Sequence, residues 1–364
     1  MSWTQPQFSR GKVDAAGRLL AHSPVWLDAI DDDDVDIDAQ SLEDALAIIN
    51  NWRSSHSYPL QIIKMTLLSR ARKIDKRALI AQRLKRLSSI DIKLRNNPNM
   101  KLTQMQDIGG CRAVVSTPAQ ITRVVDVYKE SIAKSPRNRP ECIEEYDYIQ
   151  HPKADGYRSH HFVYKYRTAS PALKVYEGLR IEVQIRSRLQ HAWATAVETA
   201  STFTGQALKS NVGEPDWKRF FSLMGSALAI RERLPIVPGT PRNKGRLMGE
   251  LKGLSNKLCI KEVLAGWSSA VSMLEDEAMA TGTYAFLLVF DSAKKTLRVR
   301  GFNKSETTRA DEEYLTVEKA SASNPNVQAV LVSVESVAAL RSTYPNYYAD
   351  TTAFLEALDR AVTS

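Results

Sequence analysis

The run Arg180-Ile-Glu-Val-Gln-Ile-Arg186 alternates polar and apolar residues without a break. On a helix those positions would spread around the axis. The run therefore predicts a β-strand with Glu182, Gln184 and Arg186 on one face and Ile181, Val183 and Ile185 packed into a core. Two more short β-rich runs, Arg112-Ala-Val-Val-Ser and Phe162-Val-Tyr-Lys-Tyr, predict neighbouring strands. Helices are expected at about 118–134, 188–201 and 216–234.

Upstream, Ser41-Leu-Glu-Asp44 reads as a capping box opening a helix to about Arg53. Apolar spacing from Ile62 to Leu87 predicts a longer helix from Leu60 to about Asn96, broken near Asp75. The Pro/Gly-rich, basic segment from Pro238 to Arg246 marks an expected domain boundary. Beyond it the pattern predicts helices to about Ala280, then a hairpin of strands from Tyr284 and Lys295. A third strand from Ala329 and helices at 334–342 and 349–362 complete it. The expected domains are an acidic segment with a helix (1–59), a central domain (60–237) and a smaller α/β unit (238–364).

Charge divides the chain unevenly. The first sixty residues hold ten acidic against four basic side chains, whereas residues 61–110 hold twelve basic against three acidic. A basic stretch of that density suits either a solvated helix face or a ligand rich in phosphate. No apolar run approaches the ~20 residues needed to span a bilayer, and the N-terminus lacks the grammar of a secretory signal. The three cysteines, Cys111, Cys142 and Cys259, are too few for a disulfide framework or a four-cysteine zinc site. A soluble protein of the reducing cytoplasm, without a membrane partner, is the expectation.

Within the basic stretch, Arg83, Lys85, Ser89 and Lys93 fall in one cluster. If helical, Lys85, Ser89 and Lys93 share a face, where two ammonium groups flanking a hydroxyl can hold a polyphosphate. Lysines four apart also describe an ordinary solvated face. Asp107, ahead of Gly109-Gly110 and a buried strand, suits a Mg²⁺ ligand near phosphates, or simply a turn. In Gly156-Tyr157-Arg-Ser-His160-His161, Tyr157 offers a stacking platform. The two histidines face opposite sides of a strand, so at most one serves a site.

Four segments together carry a resemblance: Arg83/Lys85/Ser89/Lys93, Asp107-Ile through Arg112, Asp147-Tyr-Ile through Gly-Tyr157-Arg-Ser-His-His161, and Ile-Glu182-Val-Gln-Ile-Arg186. Over about residues 60–235 the chain resembles the RelA/SpoT synthetase family. The resemblance implies an α+β fold, a nucleotidyltransferase-like mixed five-stranded sheet flanked by helices, that transfers pyrophosphate from ATP to a ribose 3′-hydroxyl. By position it implies Arg83 and Arg112 around the adenine, and Lys85, Ser89 and Lys93 on the phosphates. Asp107 and Glu182 would hold Mg²⁺, with Glu182 also the general base. Tyr157, His161, Gln184, Arg186 and His191 would line the acceptor pocket. No His-Asp pair occurs, so the hydrolase domain of the longer members is not expected. Glu198 falls five residues after Trp193, where alarmone-making small synthetases place a glutamate four after it.

The runs Gln-Met-Gln-Asp107-Ile-Gly-Gly-Cys-Arg and His191-Ala-Trp-Ala-Thr-Ala-Val-Glu198 are similar to those of toxic small synthetases, which modify the 3′ CCA end of tRNA. Alarmone-making members use GDP or GTP instead, and charge alone fits both acceptors. The last 120 or so residues resemble the tail of fused toxin–antitoxin members that guard bacteria against phage. That likeness implies a degenerate zinc-finger-like autoinhibitory domain, with Tyr344 and Tyr347 as its regulatory pair and a phage capsid protein as activator. Two aromatics packing a turn would place the same residues there.

Overall fold

The computed structural model describes residues 3–23, 39–133, 139–204 and 215–258, and beyond them 260, 261, 264, 285–291, 294, 296–322, 327–333 and 351–363. The order is α1 (Arg10–His22), α2 (Ala39–Ser55), α3 (Ser57–Ile74), β1 (Leu79–Leu84), α4 (Leu87–Arg95), β2 (Gly109–Val115) and α5 (Pro118–Ala133). Then come β3 (Glu141–Asp147), β4 (His160–Lys165), β5 (Arg180–Ser187), α6 (Arg188–Thr204), α7 (Pro215–Glu232) and α8 (Lys244–Lys257). The remainder forms β6 (Ala285–Asp291), β7 (Thr296–Phe302), α9 (Thr307–Ala322), β8 (Val327–Ser333) and α10 (Thr352–Thr363).

Strands β1 to β5 form one mixed sheet in the order β1-β2-β5-β4-β3, parallel only between β2 and β5. The expected alternation of β5 is realised. Ile181, Val183 and Ile185 join Cys111, Ala113, Phe162 and Tyr164 in a core that α3 and α5 cover. The opposite face carries the polar residues of β5. A five-stranded mixed sheet flanked by helices is thus the architecture, as expected. Strands β7-β6-β8 form a separate antiparallel sheet with α9 against it, the hairpin and third strand anticipated above.

Three local expectations are corrected. The predicted helix Leu60–Asn96 is α3, a strand and α4. Asp75 does end α3, because its carboxylate accepts from Arg77 N–H at 2.9 Å and from Ser116 N–H and Oγ at 2.8 and 2.7 Å. The chain then enters β1, pairing Leu79–Leu84 with Val114–Gly109. Its Leu, Ala, Gln and Arg are good helix formers, and sheet pairing overrides that preference. Lys85 therefore lies outside any helix, its N–H bonded to Ile108 O at 2.7 Å, and shares no helix face with Ser89 and Lys93. Ser41-Leu-Glu-Asp44 opens no helix either, since α2 is already under way at Ala39. Helix α1, in a stretch expected to be irregular, is a further correction, and strand β3 and helix α9 were not anticipated.

The Pro238–Arg246 segment runs through the connection between α7 and α8 into the first turn of α8, and the two helices pack on one another. Phe220, Phe221 and Leu228 of α7 share a core with Leu247 and Leu251 of α8 and Phe354 and Leu358 of α10. The helix expected at 334–342, most of 258–284, Cys259, Tyr344 and Tyr347 lie outside the described residues. Among the described residues, no helix is long and apolar enough to cross a membrane.

Candidate active site

Register assembles the site. Glu182 stands between Gly110 of β2 and Val163 of β4, and Arg83 is paired with Gly110 from the other side. One row along, Gln184 lies between Arg112 and His161. Arg83, Arg112, Glu182, Gln184 and His161 therefore share the sheet face opposite the α3/α5 core, with Arg186 one step further. His160 points the other way and meets Glu145 at 2.9 Å, so His161 is the histidine on the site face.

Two hydrogen-bonded groups meet on that face. In the first, the ammonium groups of Lys85 and Lys93 donate to the two oxygens of Asp107 at 2.8 and 2.9 Å. Lys85 arrives from the β1–α4 connection and Lys93 from the last turn of α4, so tertiary structure joins the two lysines that a shared helix face was expected to bring together with Ser89. Burial alone would raise the Asp107 pKa, but the two lysines outweigh it and hold the carboxyl well below the usual range. Burial lowers the Lys85 pKa, and Asp107 offsets part of that. Ser89 lies on α4 one turn before Lys93.

The second group is a chain. Arg186 Nη2 donates to the Tyr157 hydroxyl at 2.7 Å, and that hydroxyl is 2.8 Å from His161 Nε2. His161 Nδ1 is 2.8 Å from Glu182 Oε1. Gln184 closes the chain, donating to Glu182 Oε2 at 2.6 Å and accepting from Arg186 at 2.6 Å. Because Arg186 can only donate, the Tyr157 proton is free for His161 Nε2, which leaves Nδ1–H to donate to Glu182. Burial would raise the Glu182 pKa and the nearby Asp107 charge adds to that, yet the His161 and Gln184 hydrogen bonds bring it below the ordinary value.

The positioning of Tyr157 is set by Gly156, at φ +99, where a Cβ would meet Phe221 O at 2.9 Å and the Trp193 ring at 3.0 Å. Trp193 is held in turn by its indole N–H to Phe221 O at 2.9 Å. Around Tyr157 the guanidinium of Arg186 lies 5.0 Å and the ammonium of Lys153 5.5 Å from the ring centroid. His191, on α6, is buried, and burial with the charges of Arg112 and Arg186 pushes its pKa well below the usual value. Its Nδ1 and the Arg186 Nε are buried and make no hydrogen bond, a state that favours a polar ligand there.

Further side chains complete the surroundings. Tyr146 and Tyr148 stack with centroids 5.7 Å apart, and Lys153 sits 4.4 Å over Tyr148. Arg86 reaches Glu198 at 3.9 Å. The Tyr-Asp-Tyr spacing was visible in the sequence, but only the β3 pairing gives those rings a place.

Asp107 and Glu182 supply carboxylate oxygens of the kind that suit Mg²⁺ brought in with phosphates; their four oxygens now face Lys85, Lys93, His161 and Gln184, so an ion would displace some of these. Among the described residues no three His, Cys, Asp or Glu side chains gather to hold an ion unaided.

Residues 82–206 match the family described as "Region found in RelA / SpoT proteins". No curated protein matches the chain. Among solved structures, the small alarmone synthetase 1 of Bacillus subtilis bound to its product pppGpp is similar over 49% of this chain and 89% of its own, at 21% identity and a TM-score of 0.40. The small alarmone synthetase 2 of Bacillus subtilis is similar over 50% and 93%, at 20% identity and 0.41. A GTP pyrophosphokinase family protein from Streptococcus pneumoniae is similar over 48% and 85%, at 22% identity and 0.39.

Proposed function

We propose that the RelA/SpoT region transfers pyrophosphate from ATP to a ribose 3′-hydroxyl. One observation carries the reading: Glu182 stands where two differently built halves of a site meet. On one side is the Lys85–Asp107–Lys93 cluster, rich in charge for a polyphosphate. On the other is the Arg186–Tyr157–His161 chain, with aromatic and polar groups for a nucleoside.

In this reading Arg83 and Arg112 flank the adenine, and Lys85, Ser89 and Lys93 hold the phosphates. Glu182 takes the proton of the 3′-hydroxyl as its oxygen bonds the β-phosphorus, and the bond from that phosphorus to the AMP oxygen breaks. The Lys side chains neutralise charge gathering on the transferred group, and His161 fixes the Glu182 carboxylate in direction. When bound, Mg²⁺ held by Asp107 and Glu182 supplies further charge neutralisation on the phosphates. Tyr157, His161, Gln184, Arg186 and His191 orient the acceptor.

The acceptor we propose is the 3′ end of tRNA, which would make the chain a translation-blocking toxin. The runs around Asp107 and His191 support this branch, and the basic side chains of residues 61–110 beyond those assigned to ATP are compatible with an RNA backbone. The segment from 238 onward is proposed as its brake, acting through Tyr344 and Tyr347 and released by a phage capsid protein.

The test uses the full chain, because Phe354 and Leu358 of α10 fill the same core as Phe220 and Phe221, so cutting at 240 would open that core. Wild type and a Tyr344→Ala/Tyr347→Ala variant are incubated with γ-labelled ATP, bulk tRNA, GDP and GTP. Label on tRNA, stronger in the variant and lost with Glu182→Gln, is the expected result. Label on GDP or GTP alone would replace the tRNA reading with alarmone synthesis, and no Glu182-dependent label anywhere would overturn the transferase reading.

A further inference from the structure

Helix α4 has no cap of its own. Its N-cap residue is Arg86, which makes no side-chain cap bond, and no Ser, Thr, Asp or Asn precedes Leu87 to supply one. The first amide of the helix is nevertheless satisfied. Leu87 N–H donates to Glu318 Oε1 at 2.5 Å, across 231 residues of chain. The other carboxylate oxygen, Oε2, accepts from Arg53 Nη1 at 3.0 Å.

Glu318 and Arg53 are 4% and 5% exposed, so this is a buried ion pair rather than a surface contact. Arg53 also lies 4.8 Å over the Tyr314 ring and donates to its hydroxyl at 3.3 Å. Burial would lower the Arg53 pKa, and Tyr314 and Glu318 more than reverse that. One carboxylate thus ties α9 to α2 and to the positive end of α4. Removing either partner would leave the other charge buried and uncompensated.

What it orders is specific. Lys85 stands two residues before Leu87, and Lys93 lies at the far end of a helix only nine residues long. Both reach the same Asp107, so a frayed first turn would move Lys85 and Lys93 relative to one another. We propose that Glu318 is a positioning residue: a cap supplied from α9 that holds the 85–93 segment so that Lys85 and Lys93 converge on Asp107. The proposal rests on the reading that this segment holds ATP phosphates. It makes ATP binding depend on α9 staying docked, so the proposed brake, acting through Tyr344 and Tyr347, would be released without undocking α9.

The experiment compares full-length wild type, Glu318→Ala and Glu318→Gln. It measures kcat, the KM values for ATP and acceptor, binding of a non-hydrolysable ATP analogue, and amide exchange at residues 87–90. Loss of one cap at about 1 kcal/mol is worth about fivefold in an equilibrium, so Glu318→Ala should weaken ATP binding by about that factor and speed exchange at 87–90. Acceptor KM and kcat should hold, and Glu318→Gln, whose single amide oxygen can accept from Leu87 N–H or from Arg53 but not from both, should recover part of the loss. If Glu318→Ala does not fold, Glu318→Asp, with its carboxylate drawn back from Leu87, takes its place.

Unchanged or tighter ATP binding with faster exchange at 87–90 would overturn the proposal, as would an equal fall in kcat and in affinity for both substrates. If wild type binds no ATP analogue, it is the reading of the site that fails. Exchange at 87–90 then judges the cap alone: faster in Glu318→Ala supports it, unchanged overturns it.

Discussion

His161 and Glu182, on adjacent antiparallel strands, are joined at 2.8 Å between Nδ1 and Oε1, while the other His161 nitrogen is 2.8 Å from the Tyr157 hydroxyl. The direction of the Glu182 carboxylate is thus set by a chain that begins at Arg186, and the same atoms link the proposed base to the proposed acceptor pocket.

Glu182→Gln removes the proposed base but keeps a side chain of the same shape. We expect transfer to fall by at least about 100-fold, the usual scale for a lost general base, with melting temperature little changed. Single-turnover transfer alongside thermal unfolding checks this; full activity in the variant would rule Glu182 out.

Lys93→Met takes away one of two charged donors on Asp107. A charge-assisted hydrogen bond of ~1.5–3 kcal/mol corresponds to about 10- to 100-fold in affinity. That loss should fall on KM for ATP and leave KM for the acceptor alone. Initial rates with each substrate varied in turn would show it, and a shift in acceptor KM instead would misplace the phosphate subsite.

Gly156→Ala meets two obstacles at once, a left-handed backbone at φ +99 and a Cβ 2.9 Å from Phe221 O. The expected cost is about 2–4 kcal/mol, seen as a lower denaturant midpoint. Acceptor binding should weaken too, because Tyr157 is the very next residue.

His56 supplies a pH prediction. It is buried, its Nδ1 2.7 Å from Trp52 O. Burial, helped by Arg10, lowers its pKa from 6.5 to about 4, against the pull of the Trp52 carbonyl. The unfolded chain therefore takes up the proton first as pH falls, so stability is full above about 6.5 and is lost down to about 4, by roughly 3 kcal/mol. His56→Gln, which cannot titrate, should flatten melting temperature against pH across that window. An unchanged slope would assign the acid sensitivity elsewhere.

The alternation of residues 180–186 determined a strand with one polar face, because side-chain direction in a strand depends only on position along it. That put Glu182, Gln184 and Arg186 together before any fold was known, and the adjacency of His160 and His161 required only one of them to face the site. Apolar spacing could not do the same for Leu79–Leu84, whose residues favour a helix in isolation; pairing with β2 made them a strand. The convergence of Lys85 and Lys93 on Asp107 was decided there too, since it depends on where a strand ends and a short helix begins. Nor does anything near Leu87 announce Glu318: contacts across more than two hundred residues exist only once separate packed units meet, and local chemistry carries no record of them.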